Sequence, residues 1–422
     1  MTPAARLQAV IDILDAMQAT SQPLDRFLRD WFRARRYAGS KDRRAIGERI
    51  FTIQRHRASL AWRLGDESPR ALALASVLSE GGDPNALFTG DGYGPPALSD
   101  AERAAIANTP SDPPPHVRGE FPEFLTAELT RAFGENLPAE MTAMLARAPS
   151  DLRTNSLKID RETLLAELAA QGIACAPTPY APQGIRLEEG GTALAKSPLF
   201  ESGAFEFQDE AAQIAALLLE ARPGQTILDL AAGAGGKALA LAAIMENRGA
   251  ITACDIRGEA LHQLTLRAAR AGVTNIAVHL IQDTPPSGPF DAVFLDAPCS
   301  GSGTWRRQPE LKWRLTPARL QILTDLQDRL LDQAADRLEP QGHILYATCS
   351  ILPRENEDRV AAFLVRHPEF TLREAAKAWN GPPVPGLGRF FRASPATSGT
   401  DGFFCALLGR TEGAWSKPAD PD

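Results

Sequence analysis

Two cysteines stand in the company that nucleophilic chemistry needs. The run DAPCSGSGTWRR (296–307) places Asp296, Pro298 and Cys299 just past an apolar strand, before a flexible stretch holding Gly301 and Gly303. The run YATCSILPRENE (346–357) places Cys349 at the end of a second such strand. A thiolate there would be a strong nucleophile, the more so if Arg306, Arg307 or Lys312 lowered its pKa. A cysteine in isolation is more often a small buried hydrophobe. Two of them at strand ends leading into Ser-containing loops, one beside an Asp, favour the reactive reading. Cys254 and Cys175 read as core or incidental residues.

A third segment suits a nucleotide. After TILDL (226–230) comes A-A-G-A-G-G-K, running into a helix from Ala238. Gly233, Gly235 and Gly236 let backbone approach a ligand closely, and the helix N-terminus offers unpaired N–H groups to an anion. The spacing is not that of a phosphate-binding P-loop, and Ala238 replaces the hydroxyl residue such a loop carries. Asp255 lies nineteen residues past Gly236, at the end of the next strand, where an acid can accept both ribose hydroxyls. Asp283 follows the third strand and could reach an adenine edge. The loop alone leaves NAD and S-adenosylmethionine both open.

The elements that must position these residues alternate. Apolar strands TILDL, ITACD (251–255), IAVHLI (276–281), DAVFLD (291–296) and HILYATCS (343–350) are separated by amphipathic helices. That alternation predicts a doubly wound, mostly parallel α/β sheet, with ligands beyond the strand carboxyl ends. Upstream, DLRTNSLKID and GIRLEEG are strand-like and flank a helix over RETLLAELAAQG, which suggests a small α+β module. Residues 4–65 carry helical spacing (Leu7, Val10, Ile11, Leu14; Ile46, Ile50, Ile53), with a helix start at Ser40. Residues 80–118 read as Gly- and Pro-rich loops around one short helix, and helical patterning resumes from Phe121 to Leu145.

Composition bounds the rest. A chain of 422 residues suggests about three domains. Its net charge of −7 excludes a polycation, but Arg26 to Arg63 holds twelve cations against three carboxylates, an excess suited to a polyanionic partner. Five scattered cysteines without a CxxC pair fit neither a disulfide framework nor a metal site, and imply a reducing compartment. The N-terminus has no signal-peptide core, and the longest apolar run, Ala238 to Met245, is too short for a membrane span. A cytoplasmic protein, without a membrane partner, is expected.

The order of motifs resembles a known family. QDEAAQ (208–213), LDLAAGAGGK (228–237), DIRGEAL (255–261), the PCS and TCS runs quoted above and DGFFCALLGR (401–410) are similar to the successive motifs of NOP/Sun-type RNA cytosine-5 methyltransferases. The helical N-terminus resembles the NusB-like domain of the RsmB/Sun branch, which modifies small-subunit ribosomal RNA. The resemblance implies a helical NusB-like RNA-binding domain (1–145), an RRM-like α+β module (146–205), and a Rossmann-like class I methyltransferase core (206–412). That core would have a mostly parallel seven-stranded sheet, and residues 413–422 a disordered tail. The chain departs from the family's pattern at Ala234, where Pro is usual, and at Ala238, where Thr is usual.

The resemblance also implies roles. Cytosine C5 is not nucleophilic until something adds to C6, and Cys349 would be that nucleophile. Asp296 would contact N3, Cys299 would remove the C5 proton and release the product, and Lys312 would stand among the catalytic groups. S-adenosylmethionine would be the methyl donor, cradled by Ala231, Ala232, Gly233, Ala234, Gly235, Gly236 and Lys237, with Asp255 at the ribose, Asp283 at the adenine and Asp296 alongside. The partner would be RNA with an unpaired or flipped cytosine, and the protein a monomer. Three alternatives stay open: transfer RNA as substrate, a DNA-type enzyme with Cys299 as nucleophile, and a non-catalytic RNA-binding assembly factor.

Overall fold

The computed structural model describes residues 1–188, 191 and 194–410. The tail expected at 413–422 lies outside them. Two compact units are present. Among the described residues, one comprises 1–146 together with 305–316, the other 147–304 together with 317–410.

The first unit is all helical. Apolar residues at three- and four-residue spacing turn one face of each helix inward, so Leu7, Val10, Ile13 and Leu14 of Pro3–Met17 meet Ile46, Ile50 and Ile53 of Ser40–Arg55 in one core. Helix starts use side-chain caps. Thr2 accepts from the Ala5 amide, Ser68 accepts from the Ala71 amide, and the Asp42 carboxylate accepts from the Gly39 amide. The helical run expected over 121–145 is broken at Gly134, whose φ of 52° is left-handed, into Thr126–Phe133 and Leu137–Leu145.

Residues 305–316, expected within the catalytic core, instead complete this helical unit. Lys312 is 1% exposed there. Its ammonium donates to the Arg55 carbonyl at 3.2 Å and lies 5.4 Å from the centre of the Trp313 ring, whose indole N–H donates to the Gln54 carbonyl. Burial lowers the Lys312 pKa to about 8, against the pull of Glu120. Glu120, 2% exposed, accepts from the Ala58 and Ser59 amides at 2.8 and 3.2 Å.

The second unit holds both sheets. β1 (Ser150–Thr154), β2 (Cys175–Pro177), β3 (Gly184–Leu187) and β4 (Phe205–Phe207) form an antiparallel sheet in the order β2-β3-β1-β4. Leu164 and Leu168 of the helix Arg161–Ala170 cover it, against Leu152, Ile185 and Phe205. β2 and β4 are three residues each, too short for a period-2 pattern to show. β4 also carries this module two residues past its expected end.

The large sheet contains β5 (Thr226–Asp229), β6 (Ala250–Asp255), β7 (Ile276–Leu280), β8 (Phe290–Asp296), β9 (Leu338–Thr348), β10 (Phe370–Arg373), β11 (Phe391–Ala393) and β12 (Phe403–Arg410). Seven run in the order β10-β12-β9-β8-β5-β6-β7, and β11 adds an eighth strand beside part of β12. β7 through β9 are parallel neighbours, whereas β10, β11 and β9 pair antiparallel with β12. Alternate residues feed two cores: Ile227, Ala253, Phe294 and Leu345 face one helix layer, while Leu228, Cys254, Val293 and Tyr346 face the other. The chain leaves β5 in opposite directions, to β6 and β7 on one side and to β8 and β9 on the other. The crevice therefore opens past β5 and β8. Among the described residues no helix is long and apolar enough to cross a membrane.

Removing Glu120 would leave two helix-start amides without their acceptor and take away the charge that favours the buried Lys312 ammonium. Glu120→Ala should therefore cost about 3 kcal/mol, read as a fall in the urea midpoint with an unchanged denaturant slope.

Candidate active site

The glycine loop is shaped by what lies behind it. β5 ends at Asp229, and the helix Gly236–Ile244 starts seven residues on. Gly233 and Gly235 take φ of 55° and 83°, and a Cβ on Gly235 would come within 2.4 Å of Leu264 Cγ, so only glycine serves there. The loop's carbonyls are held from the far side. Arg267 donates to the Ala234 carbonyl at 2.6 Å, Arg153 to the Gly236 carbonyl at 2.7 Å, and the Gln208 amide also reaches Gly236. Glu206 anchors Arg267 in turn at 2.9 Å. The following helix starts without a side-chain cap on its first amides.

Asp255 closes this side. Its carboxylate is 5% exposed, accepts from the Gly233 amide at 2.9 Å, and is gripped by the Arg257 amide and guanidinium at 2.8 and 2.9 Å. Burial pushes the carboxyl up, and the Arg257 and Gly233 donors outweigh it, so the group is held below the usual range. The Arg257 side chain is 68% exposed and so can swing away to release two acceptor positions for a diol. Ile256, 75% exposed, and Leu280, 44% exposed, put apolar surface beside it. Asp283 is exposed, three residues past the end of β7.

The reacting side lies past β8 and β9. Lys237, in the first turn after the glycine loop, donates to Asp296 Oδ2 at 2.5 Å and sits 5.6 Å from the centre of the Phe403 ring. Burial disfavours its charge, but Asp296, Cys349 and Asp229 together raise the ammonium above its ordinary pKa. Cys299 and Cys349, both half-buried, lie with their sulfurs 3.3 Å apart. A hydrogen bond to Cys349, then burial, then the charges of Cys349 and Glu355 push the Cys299 thiol far up, so Cys299 keeps its proton. Backbone bonds pin both turns: the Ala297 amide donates to the Ala347 carbonyl at 2.8 Å and the Gly303 amide to the Cys349 carbonyl at 2.9 Å. Gly303 itself lies against Gly402, where a Cβ would meet the Gly402 carbonyl at 1.9 Å. Cys254 is buried, its thiol pushed up to about 12, as a core residue should be.

The structure thus brings Lys237, Asp296, Cys299 and Cys349 together, with the loop 231–236 and Asp255 along the same strand ends. Lys312, Arg306 and Arg307 group by contact with the helical unit. The cation paired with Asp296 is Lys237, fifty-nine residues before it and visible in sequence only as the end of the glycine run. Sequence reasoning also missed Asp229. It is 1% exposed, and neither carboxylate oxygen has a hydrogen-bond partner among the described residues. Burial first, and the nearby Asp296 second, raise its pKa to about 8. An unpaired buried carboxylate at the foot of the loop fits a ligand that brings positive charge, as the ammonium and sulfonium of S-adenosylmethionine do.

Asp229 makes the stability of the protein pH-sensitive. Because its folded pKa lies above the ordinary 3.8, the folded state holds more protons than the unfolded state between about pH 4 and pH 8. Its contribution to stability is complete below about pH 4 and is lost as the pH rises through about 8. Asp229→Asn should raise the melting temperature of the ligand-free protein at pH 8, by about 1–3 kcal/mol in stability, and should weaken binding of S-adenosylmethionine measured by calorimetry.

Comparison with known proteins gives the same picture. The family model "16S rRNA methyltransferase RsmB/F" matches residues 216–409, and the ferredoxin-like domain of RsmF/B-like methyltransferases matches residues 121–193, upstream of the expected start at 146. The chain is 35% identical over 318 residues to ribosomal RNA small subunit methyltransferase B of Sodalis glossinidius, covering 74% of this chain and 69% of that protein. It is 33% identical over 304 residues to a probable methyltransferase B of Synechocystis sp., covering 68% and 66%, so the matched region spans about two thirds of these relatives. The crystal structure of PH0851 superposes with a TM-score of 0.77 at 26% identity over 97% of this chain and 99% of that one. A methyltransferase homolog from Pyrococcus horikoshii gives 0.60 at 27% identity over 70% and 97%. With a Rossmann-like core, a glycine loop suited to S-adenosylmethionine as its cofactor, and these relatives, the chain belongs to the RsmB/F family of small-subunit ribosomal RNA methyltransferases.

Proposed function

We propose that this protein methylates C5 of a cytosine in small-subunit ribosomal RNA through a transient bond between Cys349 Sγ and C6. The observation that carries the reading is the thiol pair, with sulfurs 3.3 Å apart at the mouth that also holds the Lys237–Asp296 pair. S-adenosylmethionine, when bound, supplies an electrophilic methyl group.

The chain's own residues divide the remaining work. Cys349 adds to C6 and makes C5 electron-rich. Asp296 meets the N3 edge of the base, and the Lys237 ammonium 2.5 Å from Asp296 supplies positive charge where negative charge develops. Cys299 holds its proton chiefly because it is hydrogen-bonded to Cys349. Once Cys349 is bound to carbon that hold is gone. Cys299 can then lose its proton to solvent and take the C5 proton, and the C6–S bond breaks to release product. The base must leave its stack for C6 to be reached.

The helical unit supplies the polyanion surface. Arg26, Arg29, Arg33, Arg36, Lys41 and Arg44 are exposed, and Tyr37 is 68% exposed among them. Its NusB-like, RNA-binding reading rests on this surface.

Cys349→Ala should abolish methyl transfer to small-subunit RNA, measured with radiolabelled methyl donor; activity near wild type would move the nucleophile to Cys299. Cys299→Ala should accumulate a protein–RNA adduct, seen as a slower band on a denaturing gel, and absence of that band would remove Cys299 from product release. The triple variant Arg29→Glu, Arg36→Glu, Arg44→Glu should weaken RNA binding and lower its salt slope by about three, with cofactor affinity unchanged.

A further inference from the structure

Two residues after the second cysteine's turn, the chain buries a carboxylate that the chemistry above does not use. Glu355 is 0% exposed. Its Oε1 accepts from the Ser300 amide at 2.8 Å and the Gln327 side-chain amide at 3.1 Å, and its Oε2 accepts from the Ser300 hydroxyl at 2.5 Å and the Ser350 hydroxyl at 2.6 Å. Ser300 directly follows Cys299, and Ser350 directly follows Cys349. One side chain therefore holds both residues that succeed the reacting thiols.

The rest of the network runs one way. With its proton given to Glu355, Ser350 Oγ is an acceptor, for the Ser302 hydroxyl at 2.9 Å and the Leu352 amide at 3.0 Å, while Ser302 Oγ accepts from the Ile351 amide at 3.0 Å. Gln327 also donates to the Pro298 carbonyl at 2.9 Å, on the other side of Cys299. Asn356, the next residue, accepts from the Thr348 hydroxyl and donates to the Ser350 carbonyl, so Cys349 is bracketed as well. Four donors converge on the two oxygens of Glu355, which is the pattern of an ionised carboxylate; a protonated one would present a hydrogen to a donor.

We propose that Glu355 is a positioning residue for the reaction: its carboxylate clamps the turns after β8 and β9 together through Ser300 and Ser350, and so sets the distance between Cys299 and Cys349. The inference rests on the reading of those two cysteines as the reacting thiols. Glu355 does not touch substrate. It acts by fixing the two turns in one register, and its charge also helps Cys299 retain its proton until Cys349 is engaged. A thiol pair set about 1 Å wrong is enough to cost a large rate factor.

The test uses the full-length protein with in vitro transcribed small-subunit RNA and S-adenosylmethionine, and compares Glu355→Gln, Ser300→Ala/Ser350→Ala and Cys349→Ala with wild type. Glutamine keeps the volume of the side chain but turns one acceptor into a donor facing hydroxyl donors. Glu355→Gln should lower kcat on the order of 10- to 100-fold, with cofactor affinity nearly unchanged, because the glycine loop and Asp255 make no bond to it. The serine pair variant should show the same split. Alkylation of Cys299 by iodoacetamide, followed peptide by peptide against pH, should move to lower pH in Glu355→Gln. Wild-type kcat in Glu355→Gln, a parallel fall of kcat, cofactor affinity and melting temperature, or an unmoved Cys299 profile would each overturn the proposal. An active Cys349→Ala would instead overturn the assignment of the nucleophile; an inactive Cys349→Ala beside a fully active Glu355→Gln would overturn the clamp alone.

Discussion

The bond between Lys237 and Asp296 is the interaction on which the site depends. The sheet brings the ends of β5 and β8 side by side, and with them two carboxylates, Asp229 and Asp296, that repel each other at the mouth of the crevice. Lys237 lies in the first turn of its helix, at the positive end of the backbone dipole, where a cation is normally unfavourable. Asp296 at 2.5 Å offsets that, and Lys237 offsets part of the repulsion between the acids. One ion pair thereby ties the glycine loop to the strand carrying the first cysteine turn.

Around that pair the fold uses polar side chains as fasteners. QDEAAQ is an example. Gln208 reaches the Gly236 carbonyl, Asp209 accepts from the Asp401 amide, Glu210 accepts from the Tyr180 and Ala181 amides, and Gln213 donates to the Leu152 carbonyl. A run that reads as a polar helix start thus ties the small module and the last strand to the cofactor loop. Each fastener has partners, in keeping with the cost of an unpaired buried group. Neither oxygen of Asp229 has a partner among the described residues, and it lies where a positively charged ligand belongs. Stability has been given up there for a site ready to bind.

Much was legible in the residues. The five strands between 226 and 350 show as apolar runs; four of them are largely buried, as parallel strands between helix layers are, while β7 at the sheet edge keeps Val278 and Leu280 partly exposed. The helical N-terminus shows through its three- and four-residue spacing, and the two cysteine motifs show through their order. The strands β2, β4 and β11 are too short to carry a period, and β12 was visible only as a motif. Nine residues after Asp296 the chain passes into the segment that groups with the helical unit, and Lys312 is a buried amine there.

By itself the sequence determined which atoms are available and the order of the elements: two thiols at strand ends, a glycine loop before a helix, an acid after the next strand, and a cationic helical segment. These are local properties, set by residue type and spacing along the chain. Only the tertiary structure decided that the thiols lie 3.3 Å apart although fifty residues separate them, and that Lys237 pairs with Asp296. It alone shows that Glu355 fastens both turns and that Asp229 is left without a partner. Those facts depend on strand order, because β5, β8 and β9 become neighbours across long stretches of intervening chain, and no spacing along the sequence encodes which strand ends will meet.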